Sequence, residues 1–228
     1  MGYTRPLTPG SLRVRNMVSA DQFIQGFRFL PGYFDRSAQI DLLEALREAI
    51  AESPFYTPTM PRSGKPLSVR MTNLGPLGWV TDRDGGYRYQ ATHPVTAKSW
   101  PPIPAMVLDL WRKVADYEPP PEACLVNYYV PPARLGLHQD ADERDFAAPV
   151  VSVSLGDSCL FRIGGRERAS PTRSLKLSSG DVVILGGAAR LAFHGVDRIH
   201  PGTSTLLNGR FAEGGRINLT LRRVTEPG

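Results

Sequence analysis

From residue 34 the chain reads FDRSAQIDLLEALREAIAESP, in which Ile40, Leu43, Leu46 and Ile50 recur at spacings of three and four. That period places them on one face of a helix, with Asp35 or Ser37 near its start. IPAMVLDLWRKVADYE predicts a second helix, stopped by the prolines of PPPE, which lack the N–H that would continue it. Residues 1–30 show no sustained period and read as an irregular arm. From residue 122 the period shortens to that of strands: EACLVNYYV, APVVSVSLG, SCLFRIGG, RSLKLSSG, DVVILGG, RLAFHGV and RINLTLRRV, separated by Gly, Pro, Asp and Ser. Short strands following two helices predict an α+β fold. Its core is a double-stranded β-helix, or jelly roll, supported from outside by the N-terminal helices.

The last of these strands separates two kinds of residue. Arg216, Asn218, Thr220 and Arg222 fall on one face, and Ile217, Leu219 and Leu221 on the other. If the apolar face packs on the helices, the polar face lines the interior of the double sheet. Two guanidiniums there require an anion, because buried charge without a partner is costly. A dicarboxylate would satisfy both through charge-assisted hydrogen bonds; the alternative is an edge strand with a solvated basic face. Asn127 and Tyr129, alternate residues of LVNYYV, share a face and offer further hydrogen bonds.

Composition adds bounds. The 228 residues are 41% hydrophobic and 21% charged, which suits one globular domain. No uninterrupted apolar run approaches the ~18 residues of a membrane span, and the first residues lack the apolar core of a signal peptide, so a cytosolic protein with no membrane partner is expected. Cys124 and Cys159 sit in apolar runs without a C-x-x-C pair and read as buried free thiols. The net charge of +5 and pI near 9.4 lean toward an anionic partner such as nucleic acid.

Charge is densest in LGLHQDADERD, residues 135–145. In an extended segment His138 and Asp140 point the same way, giving two ligands from one short stretch. Of the four histidines, His93 precedes a proline and His200 sits in the apparent loop RIHPG, whereas His194 lies in the strand-like RLAFHGV. His194 is therefore the third ligand expected. Two histidines and one carboxylate leave coordination positions open, as in the facial triad of non-haem Fe(II) oxygenases, whereas a structural zinc site would be closed.

HQDADE, APVVSVSLG, GDVVILGG, FHG and RINLTLRR, taken in order, resemble the AlkB family of Fe(II)/2-oxoglutarate-dependent dioxygenases over roughly residues 65–224. The resemblance implies that His138, Asp140 and His194 hold catalytic iron and that Asn127, Tyr129, Arg216, Asn218 and Arg222 hold 2-oxoglutarate. It extends to MTNLGPLGWVTDRDGGYRY, a segment comparable to the family's lid over the nucleobase, which assigns Trp79, Tyr87 and Tyr89 to substrate, with Asp142 and Arg168 as further contacts. Glu143 and Asp145 are left as surface charge. Ala141 stands where a family member carries a lysine, so no contact through that side chain is carried over. The segments expected are 1–64 for the arm and first helix, 65–121 for the lid and second helix, and 122–228 for the catalytic core, all one integrated domain.

The activity so implied is oxidative demethylation of 1-methyladenine and 3-methylcytosine in single-stranded DNA, with RNA open, by a monomer using Fe(II), 2-oxoglutarate and molecular oxygen. A hydroxylase acting on a protein or small molecule, and a silent nucleic-acid-binding relative, are the alternatives.

Overall fold

The computed structural model describes residues 24–227. Residues 1–23 of the expected arm lie outside that range. Its last part is not irregular: β1 (Phe27–Leu30) is a strand. It pairs antiparallel with β10 (Val182–Leu185), far along the chain.

Helix α1 (Arg36–Glu52) begins where the Asp35 carboxylate accepts a hydrogen bond from the Ala38 amide at 2.9 Å, an N-cap that satisfies one of the helix's free donors. α2 (Ala105–Val114) carries Arg112 and Lys113 in its last turn, where positive charge complements the helix dipole. Both helices lay their apolar faces on a six-stranded antiparallel sheet of order β1-β10-β7-β12-β5-β2. The members not yet placed are β2 (Arg70–Leu74), β5 (Ala123–Tyr129), β7 (Val150–Gly156) and β12 (Arg216–Arg222). A second sheet of order β6-β11-β8-β9 faces the first across another apolar cluster. It contains β6 (Leu135–His138), β8 (Ser158–Ile163), β9 (Arg173–Leu177) and β11 (His194–His200). The hairpin β3 (Gly78–Asp82) and β4 (Gly86–Gln90) forms a separate two-stranded sheet, joined to β2 where the Asn73 side-chain amide bonds the Trp79 backbone at 3.0 Å.

Strand β12 is hydrogen-bonded on both sides, to β5 and β7, so its register is fixed twice. Ile217, Leu219 and Leu221 are fully buried in the cluster containing Leu42, Leu43, Leu46, Leu110 and Trp111. At roughly 1.5–3 kcal/mol for each fully buried aliphatic side chain, this contact holds the sheet against the helices and turns Arg216, Asn218, Thr220 and Arg222 toward the second sheet. The alternation therefore has the consequence expected of it, and the solvated-edge alternative is excluded by the two neighbours. Cys124 belongs to the helix-side cluster and Cys159 to the cluster between the sheets, both as buried free thiols. Among the described residues no helix is long and apolar enough to cross a membrane.

Strand β11 departs from expectation. It begins at His194 rather than before it, because Gly187–Ala189 form a 3-10 turn that occupies the approach. It also continues through Ile199 to His200, so His200 ends a strand opposite Ser158 instead of lying in a loop.

Candidate active site

His138 and His194 face each other as a register pair across β6 and β11, with ring centroids 4.5 Å apart. Each ring is turned by its own chain. His138 Nδ1 lies 2.9 Å from the Gly136 carbonyl, and His194 Nδ1 lies 3.0 Å from that of Ala192. A carbonyl only accepts, so Nδ1 carries the proton and Nε2 presents a lone pair. Asp140 lies beyond the end of β6, yet its two oxygens stand 3.7 Å from the two Nε2 atoms, one each. Ligand atoms of all three residues lie within 4.8 Å of one another, and no other group of three potential ligands comes so close among the described residues. His93 is excluded by its bonding: Nδ1 accepts from the Val95 and Thr96 amides and Nε2 meets the Pro54 carbonyl at 2.8 Å.

The triad fits a divalent metal. Burial, followed by the neighbouring His138 charge, pushes the His194 pKa down to about 4, keeping its lone pair free. Burial would raise the Asp140 pKa, but Arg222, then His194, His138 and Arg190, hold it well below the ordinary carboxylate range. Its Oδ2 is buried with no hydrogen-bond partner, an acceptor left open beside His194 Nε2. Two imidazoles and one carboxylate suit Fe(II) with coordination positions to spare.

Close strand approach sets this geometry. A Cβ at Gly195 would lie 2.6 Å from the Leu135 carbonyl oxygen and 2.9 Å from Gly136 backbone atoms. Gly195→Ala is expected to part β6 from β11 and weaken Fe(II) binding at least tenfold, on the scale by which disturbed ligand support lowers metal affinity. Anaerobic Fe(II) titration checks this; unchanged affinity in a folded variant would show that the strand spacing does not set the site.

Behind the triad lies a buried network that includes Glu143, an acid expected at the surface. Glu143 is only 4% exposed. One of its oxygens accepts from Tyr89 Oη and stands 3.5 Å from Arg222 Nε, while the other is 3.1 Å from Arg190 Nη2. Arg222 Nη2 donates to Asp140 Oδ1 at 2.7 Å and its Nη1 to Tyr89 Oη at 3.1 Å. Asp145 is buried too, accepting from Tyr117 Oη and from the Ala147 amide at 3.0 Å. These acids are structural because their partners reach them from distant segments. The one sequence signal was Arg190, a lone cation within the apolar run GGAARLAF.

Asp140 and Glu143 thus offset Arg190 and Arg222, two charges of each sign. Arg216 stands outside the balance. It is 1% exposed and bonded only to neutral oxygens, the Asp157 carbonyl at 3.2 Å and Ser154 Oγ at 2.6 Å, with Nε left over. It makes no ion pair among the described residues. Directly across from it on β5 is Tyr129, and Asn127 faces Asn218 in the next inward-facing pair. Asn127 Oδ1 is likewise buried without a partner, whereas the Asn218 amide already donates to Ser152 Oγ and the Val153 carbonyl. An unpaired buried cation at one end of the strand and the candidate metal ligands beyond the other could together hold a dicarboxylate.

Both regions open into one cavity of about 530 Å³, which also reaches Trp79, Tyr87, Asp142 and Arg168. Trp79 and Tyr87 stack with centroids 5.7 Å apart, and Trp79 Nε1 donates to Asp142 Oδ2 at 2.7 Å. Arg168 covers the Phe193 ring at 5.0 Å. Tyr89 is absent from the cavity lining; its hydroxyl is taken up by Glu143 and Arg222, tying β4 to the network behind the triad.

Comparison with known proteins matches these features. The profile of the 2OG-Fe(II) oxygenase superfamily covers residues 26–222. An alpha-ketoglutarate-dependent dioxygenase AlkB homolog of Caulobacter vibrioides is 55% identical over 88% of this chain and 89% of its own. The tRNA demethylase abh1 of Schizosaccharomyces pombe is 36% identical over 70% of this chain and 57% of its own. Among solved structures, OsALKBH1 superposes with a TM-score of 0.71 at 34% identity, covering 88% of this chain and 99% of the other. With the triad, the unpaired arginine and the double sheet in place, the chain belongs to the AlkB family of the 2OG-Fe(II) oxygenase superfamily and is an Fe(II)- and 2-oxoglutarate-dependent dioxygenase.

Proposed function

We propose that this dioxygenase demethylates N-alkylated nucleobases, 1-methyladenine and 3-methylcytosine, in single-stranded DNA or RNA, as a cytoplasmic monomer acting in direct repair of DNA damage. The observation that carries the reading is the aromatic wall of Trp79 and Tyr87 beside Asp142, at the mouth of a cavity floored by the triad. Tyr87 is 50% exposed, an open ring face on which a base can stack. The net charge of +5 favours a polyanion.

When bound, Fe(II) and 2-oxoglutarate supply the oxidation. One atom of dioxygen ends in succinate as carbon dioxide leaves, and the other hydroxylates the methyl carbon, which departs as formaldehyde. The chain's own residues place the reacting groups. Arg216 would hold the distal carboxylate, with the Asn127 side-chain N–H group as a further donor, and the ligand histidines present unprotonated nitrogens. Trp79 fixes Asp142 through one oxygen, leaving the other to face a base made cationic by methylation. A methyl group on the pairing edge also weakens the base's hold in a duplex, so an unpaired strand delivers it at little cost.

Formaldehyde release from methylated oligonucleotides tests this directly. Trp79→Ala, Tyr87→Ala and Asp142→Ala are expected to preserve 2-oxoglutarate turnover without substrate while depressing demethylation. Loss of a stacking wall weakens oligonucleotide binding roughly tenfold, from about 1–3 kcal/mol per stacked base. Asp142→Ala should affect cationic lesions more than neutral ones. Undiminished demethylation in all three, or binding indifferent to salt, would transfer the assignment to a protein or small-molecule substrate.

A further inference from the structure

His138 and His194 are placed by paired strands, but Asp140 is not. It opens a stretch from residue 140 to 148 that contains neither helix nor strand. Its carboxylate is held by Arg222, and its backbone carbonyl by a different residue. Arg190 Nη1 donates to the Asp140 carbonyl at 2.6 Å, its Nε to the Ala148 carbonyl at 2.8 Å, and its Nη2 to Glu143 Oε2 at 3.1 Å. The guanidinium lies over the Phe146 ring, 5.3 Å from the centroid. One planar group therefore engages both ends and the middle of the stretch, and it is only 3% exposed. It also caps the 3-10 turn that leads into His194, so it joins the segments carrying the second and third ligands.

We infer that Arg190 is a positioning residue for the metal centre: it sets where Asp140 stands relative to the two histidines, and so sets iron affinity. A ligand must be held within about 0.5 Å of its working position by groups that are themselves locked. Arg190 meets that requirement because its three donating nitrogens are directed at three fixed acceptors. Lysine cannot replace it, since a single ammonium on a flexible stem cannot reach three acceptors in one plane. The inference rests on the metal centre and not on the nucleobase reading, and its test uses no nucleic acid.

Arg190→Lys and Arg190→Met, purified metal-free, would be titrated anaerobically with Fe(II) in the presence of 2-oxoglutarate. The visible charge-transfer absorption of the complex reports ligand geometry as well as occupancy. Arg190→Met should weaken Fe(II) by about 10- to 100-fold, the usual scale for losing an outer-shell support, and should displace the absorption maximum. Arg190→Lys retains a cation against Glu143 and should melt closer to the parent, yet show the same displaced absorption. Leu46→Ala, in the helix-side core, serves as the control: it lowers thermal stability and leaves affinity and absorption unchanged. A lysine variant with parental affinity and absorption overturns the inference. So does an equal loss of iron affinity in Leu46→Ala, which would reduce Arg190 to general stability. If Arg190→Met does not fold, the lysine variant carries the comparison.

Discussion

Arg216→Met is expected to hold or raise the melting temperature of the ligand-free protein while nearly abolishing its hold on 2-oxoglutarate. The two effects share one cause. Arg216 is buried among neutral oxygens with no carboxylate beside it, so the fold carries a desolvated charge that only a ligand compensates. An apolar side chain of similar length removes that cost, and with it the partner of the incoming anion. Loss of one member of a buried pair costs roughly 3–5 kcal/mol, which is about a hundredfold to a few thousandfold in affinity. Thermal shift with 2-oxoglutarate and Mn(II) reads both effects: a large ligand-induced rise in the parent, almost none in the variant. If Arg216→Met kept its ligand and Arg222→Met lost it, Arg222 would be the anchor instead, despite its existing bonds to Asp140 and Tyr89.

Removing a metal ligand should abolish iron binding and turnover at each of the three positions, but the stability cost should differ sharply. Asp140→Ala strands Arg222 in the interior with only Glu143 and Tyr89 to face. Breaking a buried pair in this way costs roughly 3–5 kcal/mol, a large fraction of the stability of a domain this size. His194→Ala loses a hydrogen bond to its own backbone and its contacts with His138 and Asp140, but Asp140 keeps Arg222, so no charge is left unpaired. Denaturant unfolding of the metal-free variants should therefore separate the two, with Asp140→Ala far weaker. Equal stabilities would mean that the Asp140–Arg222 contact contributes nothing to the fold. Retained iron in His194→Ala, with loss in His200→Ala, would displace the third ligand altogether.

What was legible in the sequence was what depends on period and on local chemistry. Strand β12 shows its two faces by alternation alone, and His138 with Asp140 offers a ligand pair. The stripe of α1 is half right: Leu43 and Leu46 are buried, whereas Ile40 and Ile50 are half-buried beside the buried Leu42 and Ala49, and the start left open between Asp35 and Ser37 is Asp35. What was hidden depends on pairing across long separations. Phe27–Leu30 is too short to show a period, and only β10, more than 150 residues on, makes it a strand. The hairpin carrying Trp79 and Tyr87 is visible only through the family resemblance, since its own pattern is broken by glycine and charge. Glu143 and Asp145 look like solvated acids until Arg190, Arg222, Tyr89 and Tyr117 arrive from elsewhere. Strand β11 misled because RLAF is apolar enough for a strand, while Gly187–Ala189 turn the chain before His194.

The two faces of β12 also constrain how the gene can change. Deleting or inserting one residue near the start of this strand would reverse every later side chain relative to its neighbours. Ile217, Leu219 and Leu221 would enter the cavity, and the guanidiniums would be driven into the contact with α1 and α2. Such a change would take Arg216 out of the cavity and open the helix-side core in a single step. The turn between β3 and β4, by contrast, is exposed at Arg83, Asp84 and Gly85 and can change in length without touching either. That turn belongs to the hairpin carrying Trp79 and Tyr87, so a change of length there would reshape the rim of the cavity while the triad stays as it is.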